Sequence, residues 1–364
     1  MIPAALSCDI FCRIVDNFGD IGVTWRLARQ LTLEHCVVVR LIVDDLCTFN
    51  RIEPAIDVLL RTQFVNGVRV LDWAQAMNIE PADIVIEAFA VNLPLLYIDA
   101  IAQKAQPPLW INLEYLSAES WVGEHHLLPS PHPKLSLTKY FFFPGFTPNT
   151  GGLIREQKLI AEREAFVSSR HEDKLNVLLF TYGNAAGSAL LRALGAGSKP
   201  ARCTVPEGEF ATSLERSLAH KPDLVSKVET ETIAFTSQES FDLLLWRHDV
   251  LFVRGEDSFV RAQWAAKPFV WQVYPQSEGA HWLKMDAFLS LYCDGLEPDA
   301  ALAMRELWRA WNAEDDANIE SAWRGFIDHL LTLQAHAVVW SGKLARMPDL
   351  AANLLSFYKK NTKI

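Results

Sequence analysis

This chain predicts an α/β architecture, two tandem domains built on parallel sheets, and three observations carry that prediction. Apolar strand-like runs alternate with helical patterns through the first half. The alternation restarts after a polar stretch that ends in Ser169-Arg170-His171-Glu172-Asp173, which places a linker there and divides the chain into 1–167 and 168–345. Two strand-to-helix loops, one in each half, concentrate carboxylates beside glycine: Asp16-Asn17-Phe18-Gly19-Asp20 and Arg254-Gly255-Glu256-Asp257-Ser258. In open α/β sheets ligands bind at the carboxyl ends of strands, where such loops lie.

The first strand is expected in Ile10-Phe11-Cys12-Arg13-Ile14-Val15. A helix follows, with Thr24, Leu27, Ala28 and Leu31 on one face at i, i+3, i+4, i+7 spacing. Further buried strands read at 37–43, 83–89 and 109–115. Residues 121–153 carry many loop signals around the aromatic run Tyr140-Phe141-Phe142-Phe143, and a polar helix is expected from Arg155 to about Ser168. The second domain opens on Leu175-Asn176-Val177-Leu178-Leu179-Phe180. Its further strands read at 201–205, 232–235, 250–253 and 268–273, and an amphipathic helix runs from Asp349 to about Lys359. Two α/β domains in tandem imply a cleft between them.

Composition excludes several classes. The 364 residues are 50% hydrophobic and 21% charged, a globular balance rather than a disordered one. A formal net charge of −10 argues against general nucleic-acid binding, which needs a basic footprint. It leaves room for a sugar nucleotide, because a helix N-terminus and one or two arginines suffice for a diphosphate. The six cysteines form no C-x-x-C pair, so neither zinc nor a thioredoxin-type motif is indicated, and free thiols fit a reducing compartment. No basic leader and no run of about 18 apolar residues is present, so the expectation is a cytoplasmic protein. His125, His126 and His132 lack metal-ligand spacing, Asp44-Asp45 is not an Asp-x-Asp motif, and Gly19-x-x-Gly22 is too short for a dinucleotide fingerprint.

Each candidate cluster has two readings. Asp16 and Asp20 are either a general base with an orienting partner, or a turn former and a helix cap. In 254–258, Arg254 and the helix start suit an anion, with Ser258 as a hydroxyl donor; the acids Glu256 and Asp257 either bind sugar hydroxyls or a cationic acceptor, or merely cap the helix. Phe180 and Tyr182 end one strand, and Phe235, Gln238 and Phe241 follow another. Aromatic faces with a glutamine edge can hold a pyrimidine; the plainer reading is core packing.

Together these segments, with Asn112-Leu113-Glu114-Tyr115-Leu116-Ser117-Ala118-Glu119 and Leu127-Leu128-Pro129-Ser130-Pro131, resemble the bacterial protein-arginine rhamnosyltransferases that glycosylate translation elongation factor P. The resemblance spans essentially the whole chain and departs at Gly183-Asn184, where some members carry an acidic residue. It implies a GT-B glycosyltransferase: two Rossmann-like domains with parallel sheets facing an interdomain cleft, the first completed by a C-terminal helix within 346–364. The first domain would take the protein acceptor and the second the donor, dTDP-β-L-rhamnose. Transfer would be inverting and metal-independent, without cofactor, and would activate the factor for translation of polyproline stretches. Asp20 resembles the family's general base, Asp16 its essential acidic partner and Glu256 the acid that orients the guanidinium or the rhamnose. Arg254, Asp257, Ser258 and Tyr274 resemble the diphosphate- and ribose-side contacts; Phe180, Tyr182, Phe235, Gln238 and Phe241 the thymidine pocket; and Asn17, Phe18 and Gly19 belong to the acceptor loop. Two other functions fit the same features: a non-catalytic module binding a nucleotide-sugar or a protein partner, and a GT-B enzyme with a different acceptor.

Overall fold

A computed structural model describes residues 5–15, 18–166, 173–183, 186–219, 228–275 and 279–362. The chain divides into two compact units, Met1–Lys158 with Ala345–Ile364, and Leu159–Leu344.

The strands of the first unit are β1 (Ser7–Cys12), β2 (Val38–Val43), β3 (Thr62–Val65), β4 (Val68–Asp72), β5 (Ile84–Ala88), β6 (Leu109–Leu113), β7 (Pro129–Pro131) and β8 (Thr138–Phe142). They form one sheet in the order β3-β4-β2-β1-β5-β6-β8-β7, parallel except for the β3/β4 and β7/β8 pairs. The parallel strands read as near-continuous apolar runs because both faces are covered. Phe11, Ile42, Val85, Tyr97, Trp110 and Leu137 pack into one cluster on the sheet, with Phe11 meeting Trp73 and Tyr97 edge-on at 5.5 and 4.8 Å. At the amino end of β1, the fully buried Asp9 accepts two bonds from Arg40 (2.5 and 2.7 Å), one from the Ala82 N–H (3.0 Å) and one from the Tyr97 hydroxyl.

Several elements differ from the sequence expectation. β1 stops at Cys12 rather than Val15, because the next amides bind carboxylates instead of a neighbouring strand: Ile14 N–H to Asp44 (3.0 Å) and Val15 N–H to Asp20 (2.8 Å). The helix Gly19–His35 is buried at every residue from Asp20 to Ala28, not on one face alone. An antiparallel hairpin, β3–β4, adds to the expected alternation; Asn66 and Gly67 both take positive φ (50° and 81°), as a tight two-residue turn requires. The aromatic run around Phe141, which the loop signals bracket, is the strand β8. The polar helix is only Leu159–Ala165, since Arg155 and Gln157 spend their backbone on Gln30 (2.8 Å) and Glu34 (2.7 Å). That helix belongs to the second unit, ahead of the expected boundary at 167/168, because Arg163 donates to the Trp264 carbonyl (2.7 Å) and Ser341 (3.1 Å).

The last helix, Leu350–Asn361, is part of the first unit. Asp349 caps it and also accepts from Gln30 at 3.2 Å. Leu350 N–H bonds Leu153 O (2.9 Å), and the Asn353 amide bonds Gly151 O (3.0 Å). Gly152 sits at this seam with φ +77°, and a Cβ there would lie 2.6 Å from the Pro348 carbonyl oxygen.

The second unit holds β9 (Leu175–Leu179), β10 (Ala201–Pro206), β11 (Val228–Ile233), β12 (Val250–Arg254) and β13 (Phe269–Gln272). They are all parallel, in the order β11-β10-β9-β12-β13. All six cysteines are free, and among the described residues no helix is long and apolar enough to cross a membrane.

Two stability predictions follow from this packing. Gly152→Ala places a methyl against backbone in a left-handed conformation, so urea unfolding should show a loss of about 2 kcal/mol or more. Burial pushes the His126 imidazole from 6.5 down to about 4, while its Nδ1 accepts the Phe143 N–H at 3.1 Å. The unfolded chain therefore binds the proton first, and stability should fall as pH drops from about 6.5 toward 4. His126→Gln, which keeps an acceptor that does not titrate, should flatten this part of a Tm-against-pH curve.

Candidate active site

Strand order reverses at one place in each sheet. In the first unit β1 lies between β2 and β5, and in the second β9 lies between β10 and β12. The loops leaving β1 and β5, and those leaving β9 and β12, therefore diverge and leave a crevice at the carboxyl ends of the strands. Both carboxylate loops singled out from the sequence leave one of these strands.

In the first unit Asp20 is the second residue of its helix and is 1% exposed. The residue at the cap position is Phe18, whose side chain makes no cap hydrogen bond, and Gly19 opens the helix. The Asp20 carboxylate takes hydrogen bonds from outside its helix. Oδ2 accepts the Val15 N–H at 2.8 Å, and Oδ1 accepts the Tyr115 hydroxyl at 3.3 Å. Phe18 is half-buried, with the Arg51 guanidinium 5.6 Å from its ring centre. Asp16 and Asn17 lie outside the described residues.

Beyond β5, Phe89 and Ala90 both take left-handed φ (58° and 56°), unusual for residues with a Cβ. They are held by Phe89 N–H to Leu113 O (2.7 Å) and Ala90 N–H to Asn112 Oδ1 (3.1 Å), and Asn112 donates to Glu114 (2.6 Å). The turn stacks Phe89 on Tyr115 at 4.4 Å and 19°. Sequence reasoning gave neither residue a role. Consecutive positive φ has no signature in Phe-Ala, and only the register of β5 against β6 sets Tyr115 beside Phe89.

In the second unit Gly255 turns β12 into the helix Glu256–Ala265 with φ +66°, a conformation suited to glycine, and makes no side-chain cap. Glu256 and Asp257 occupy the first helical turn. Arg254 projects its guanidinium carbon 5.1 Å from the Phe180 ring and 4.6 Å from the Tyr182 ring. Its Nε is buried without a hydrogen-bond partner among the described residues. Tyr182 meets Tyr274 edge-on at 5.7 Å, and Phe180 meets Phe241 at 5.1 Å. Gln238 begins the helix Gln238–Trp246 and donates to Asp257 at 3.2 Å. Arg261, 1% exposed, clamps that helix to its neighbour through two bonds to Asp242 (2.7 and 2.5 Å). Gln272, also absent from the sequence expectation, fixes Tyr182 by accepting its N–H at 2.8 Å.

Two further residues of the expected donor set are Ser258 and Phe235. The Ser258 hydroxyl is buried and donates to the Arg254 carbonyl at the end of β12. Phe235 is half-buried just past β11, the edge strand two places from β9. A cavity of about 660 Å³ opens at the other end of this sheet, lined by residues such as Lys174, Trp246, Asp249 and Lys267. It includes none of the residues named above for chemistry. Among the described residues no group of three or more His, Cys, Asp or Glu could hold a metal ion.

The fold is that of Acinetobacter baumannii MurG (TM-score 0.52, 12% identity, 99% of this chain and 100% of that one) and of a glycosyltransferase from Rickettsia africae (TM-score 0.52, 11%, 99% of each). The two sheets, with their loops at the points of reversal, thus have the GT-B fold. Residues 8–359 match the family described as Elongation-Factor P (EF-P) rhamnosyltransferase EarP, and the chain belongs to that family. Relatives named protein-arginine rhamnosyltransferase include those of Pseudomonas putida, 46% identical over 97% of this chain and 98% of that protein, and of Neisseria meningitidis serogroup B, 34% identical over 98% of each. A structure solved as the basis for EarP-mediated arginine glycosylation of translation elongation factor EF-P superposes with TM-score 0.66 at 34% identity, covering 97% of this chain and 99% of that one.

The left-handed pair makes one prediction. Ala90→Gly removes the Cβ penalty at φ +56° and should raise stability by about 0.5–1 kcal/mol, read from the urea midpoint.

Proposed function

We propose that this enzyme transfers L-rhamnose from dTDP-β-L-rhamnose to an arginine guanidinium of elongation factor P, in the cytoplasm, with inversion and without metal or other cofactor. The observation that carries the reading is the family match over residues 8–359, joined to an arginine set against two aromatic rings beside a helix N-terminus at a strand-order reversal. Rings and guanidinium suit a nucleobase and a diphosphate. Phe180, Tyr182, Phe235, Gln238 and Phe241 are assigned to the thymidine, and Arg254, Asp257 and Tyr274 to the diphosphate and ribose. Ser258 supports them through the Arg254 carbonyl.

A free guanidinium has a pKa of about 12.5–13.8 and reaches the enzyme cationic and poorly nucleophilic. Carboxylates bind its planar N–H fork and draw charge away from the attacking nitrogen; Asp16 and Glu256 are assigned this work. The nitrogen attacks the anomeric carbon opposite the diphosphate, and a C–N bond forms as the C–O bond breaks. The electron pair leaves on the diphosphate oxygen, where Arg254 and the helix start offset the charge. Asp20 takes the proton that the nitrogen loses, giving an α-rhamnosyl arginine and dTDP. General-base help of this kind contributes about 10²–10⁴-fold.

With a net charge of −10, an acidic acceptor is not drawn in by long-range attraction, so recognition falls to local contacts around the Asp20 loop. The test incubates the enzyme with dTDP-β-L-rhamnose and elongation factor P in the presence of chelator and records intact mass. One added deoxyhexose is expected. Asp20→Asn should keep the melting temperature and lose at least about a hundredfold in rate. Undiminished turnover in that variant would overturn the base assignment, and donor binding without transfer would redirect the search to another acceptor.

A further inference from the structure

We propose that Tyr115 is a positioning residue for the Asp20 carboxylate, delivered to it by the left-handed Phe89–Ala90 turn; this rests on reading Asp20 as the base. A carboxylate that takes a proton in the transition state must present one oxygen in a fixed direction. The aspartate has one rotatable bond between Cβ and the carboxyl group, and burial alone does not set it. Here both oxygens are held, each from a different segment of the chain. Oδ2 accepts the Val15 N–H from its own loop, and Oδ1 accepts the Tyr115 hydroxyl from the segment beyond β6.

Tyr115 itself is 40% exposed, so surrounding packing does not fix it fully. Its ring is stacked on Phe89 at 4.4 Å. Phe89 reaches that place only because it and Ala90 adopt left-handed φ, a conformation that disfavours side chains and that two hydrogen bonds to β6, at Leu113 and Asn112, maintain. Backbone strain held by dedicated partners gathers where a side chain must be aimed. The chain of contacts runs from a strained turn to an aromatic stack, then to a phenol, and ends on the carboxylate. All of it lies at the β1/β5 reversal.

Misplacement of a reacting group by a fraction of an ångström to 1 Å costs about 10–100-fold in rate. Tyr115→Phe deletes the hydroxyl and keeps the stack. Its kcat with dTDP-β-L-rhamnose and elongation factor P should fall by about 10-fold or more, with the KM for the acceptor within about twofold of wild type. In an Asp20→Asn background the same change should cause no further loss, because no base remains to be aimed. Phe89→Leu, which removes the shelf and leaves the phenol, should lower kcat in the same sense and stands in if Tyr115→Phe does not fold. Wild-type kcat in Tyr115→Phe, or an equal loss with and without Asp20, would overturn the proposal while leaving the transfer reaction intact. Absence of transfer by the wild-type enzyme would overturn the function and this inference together.

Discussion

The direction in which the chain leaves each central strand is the constraint on which both candidate clusters depend. Parallel strands are joined by crossovers of fixed hand, so a sheet can grow both ways from its first strand only if successive crossovers lie on opposite faces. β1 is flanked by β2 and β5, and β9 by β10 and β12. At those two places the outgoing loops part, and the strand ends stay uncovered by helix. Asp20 and the Phe89–Ala90 turn occupy the first opening; Phe180, Tyr182 and Arg254 occupy the second.

Charge is handled differently inside the units and at these openings. Asp9 with Arg40, Arg261 with Asp242, and Glu87 with Lys139 at 2.7 Å are matched ion pairs tying strands or helices together. Breaking one would strand a buried charge, at a cost of about 3–5 kcal/mol. Burial raises the Glu87 carboxyl above its usual range, against the pull of Lys139. Arg254 meets two aromatic rings, and its Nε has no hydrogen-bond partner among the described residues. A guanidinium supported by π-faces keeps its N–H fork available for an anion, which an ion pair would consume.

The two openings are also rigid by different means. In the second unit the Arg261–Asp242 pair and the Gln272 side chain lock a helix and the Tyr182 backbone from beneath. In the first, hydrogen bonds donated to Leu113 and Asn112 hold a turn that its own residues disfavour. Both place the aimed side chains on supports drawn from neighbouring strands, so the precision comes from sheet register.

The sequence by itself determined the alternating α/β pattern, the two domains and the two carboxylate loops. Strand periodicity, apolar runs and loop chemistry are local properties that neighbouring residues carry together. The Asn66-Gly67 hairpin was not among the expected elements, although two positive φ values are what that dipeptide favours. Only the tertiary structure decided that β1 ends at Cys12 and that the helix after Lys158 joins the second unit. Both follow from partners far along the chain: Asp44, and Trp264 with Ser341. The placing of Tyr115 against Asp20, 95 residues apart, is of the same kind. Strand pairing sets it, and no local pattern records which strands will pair.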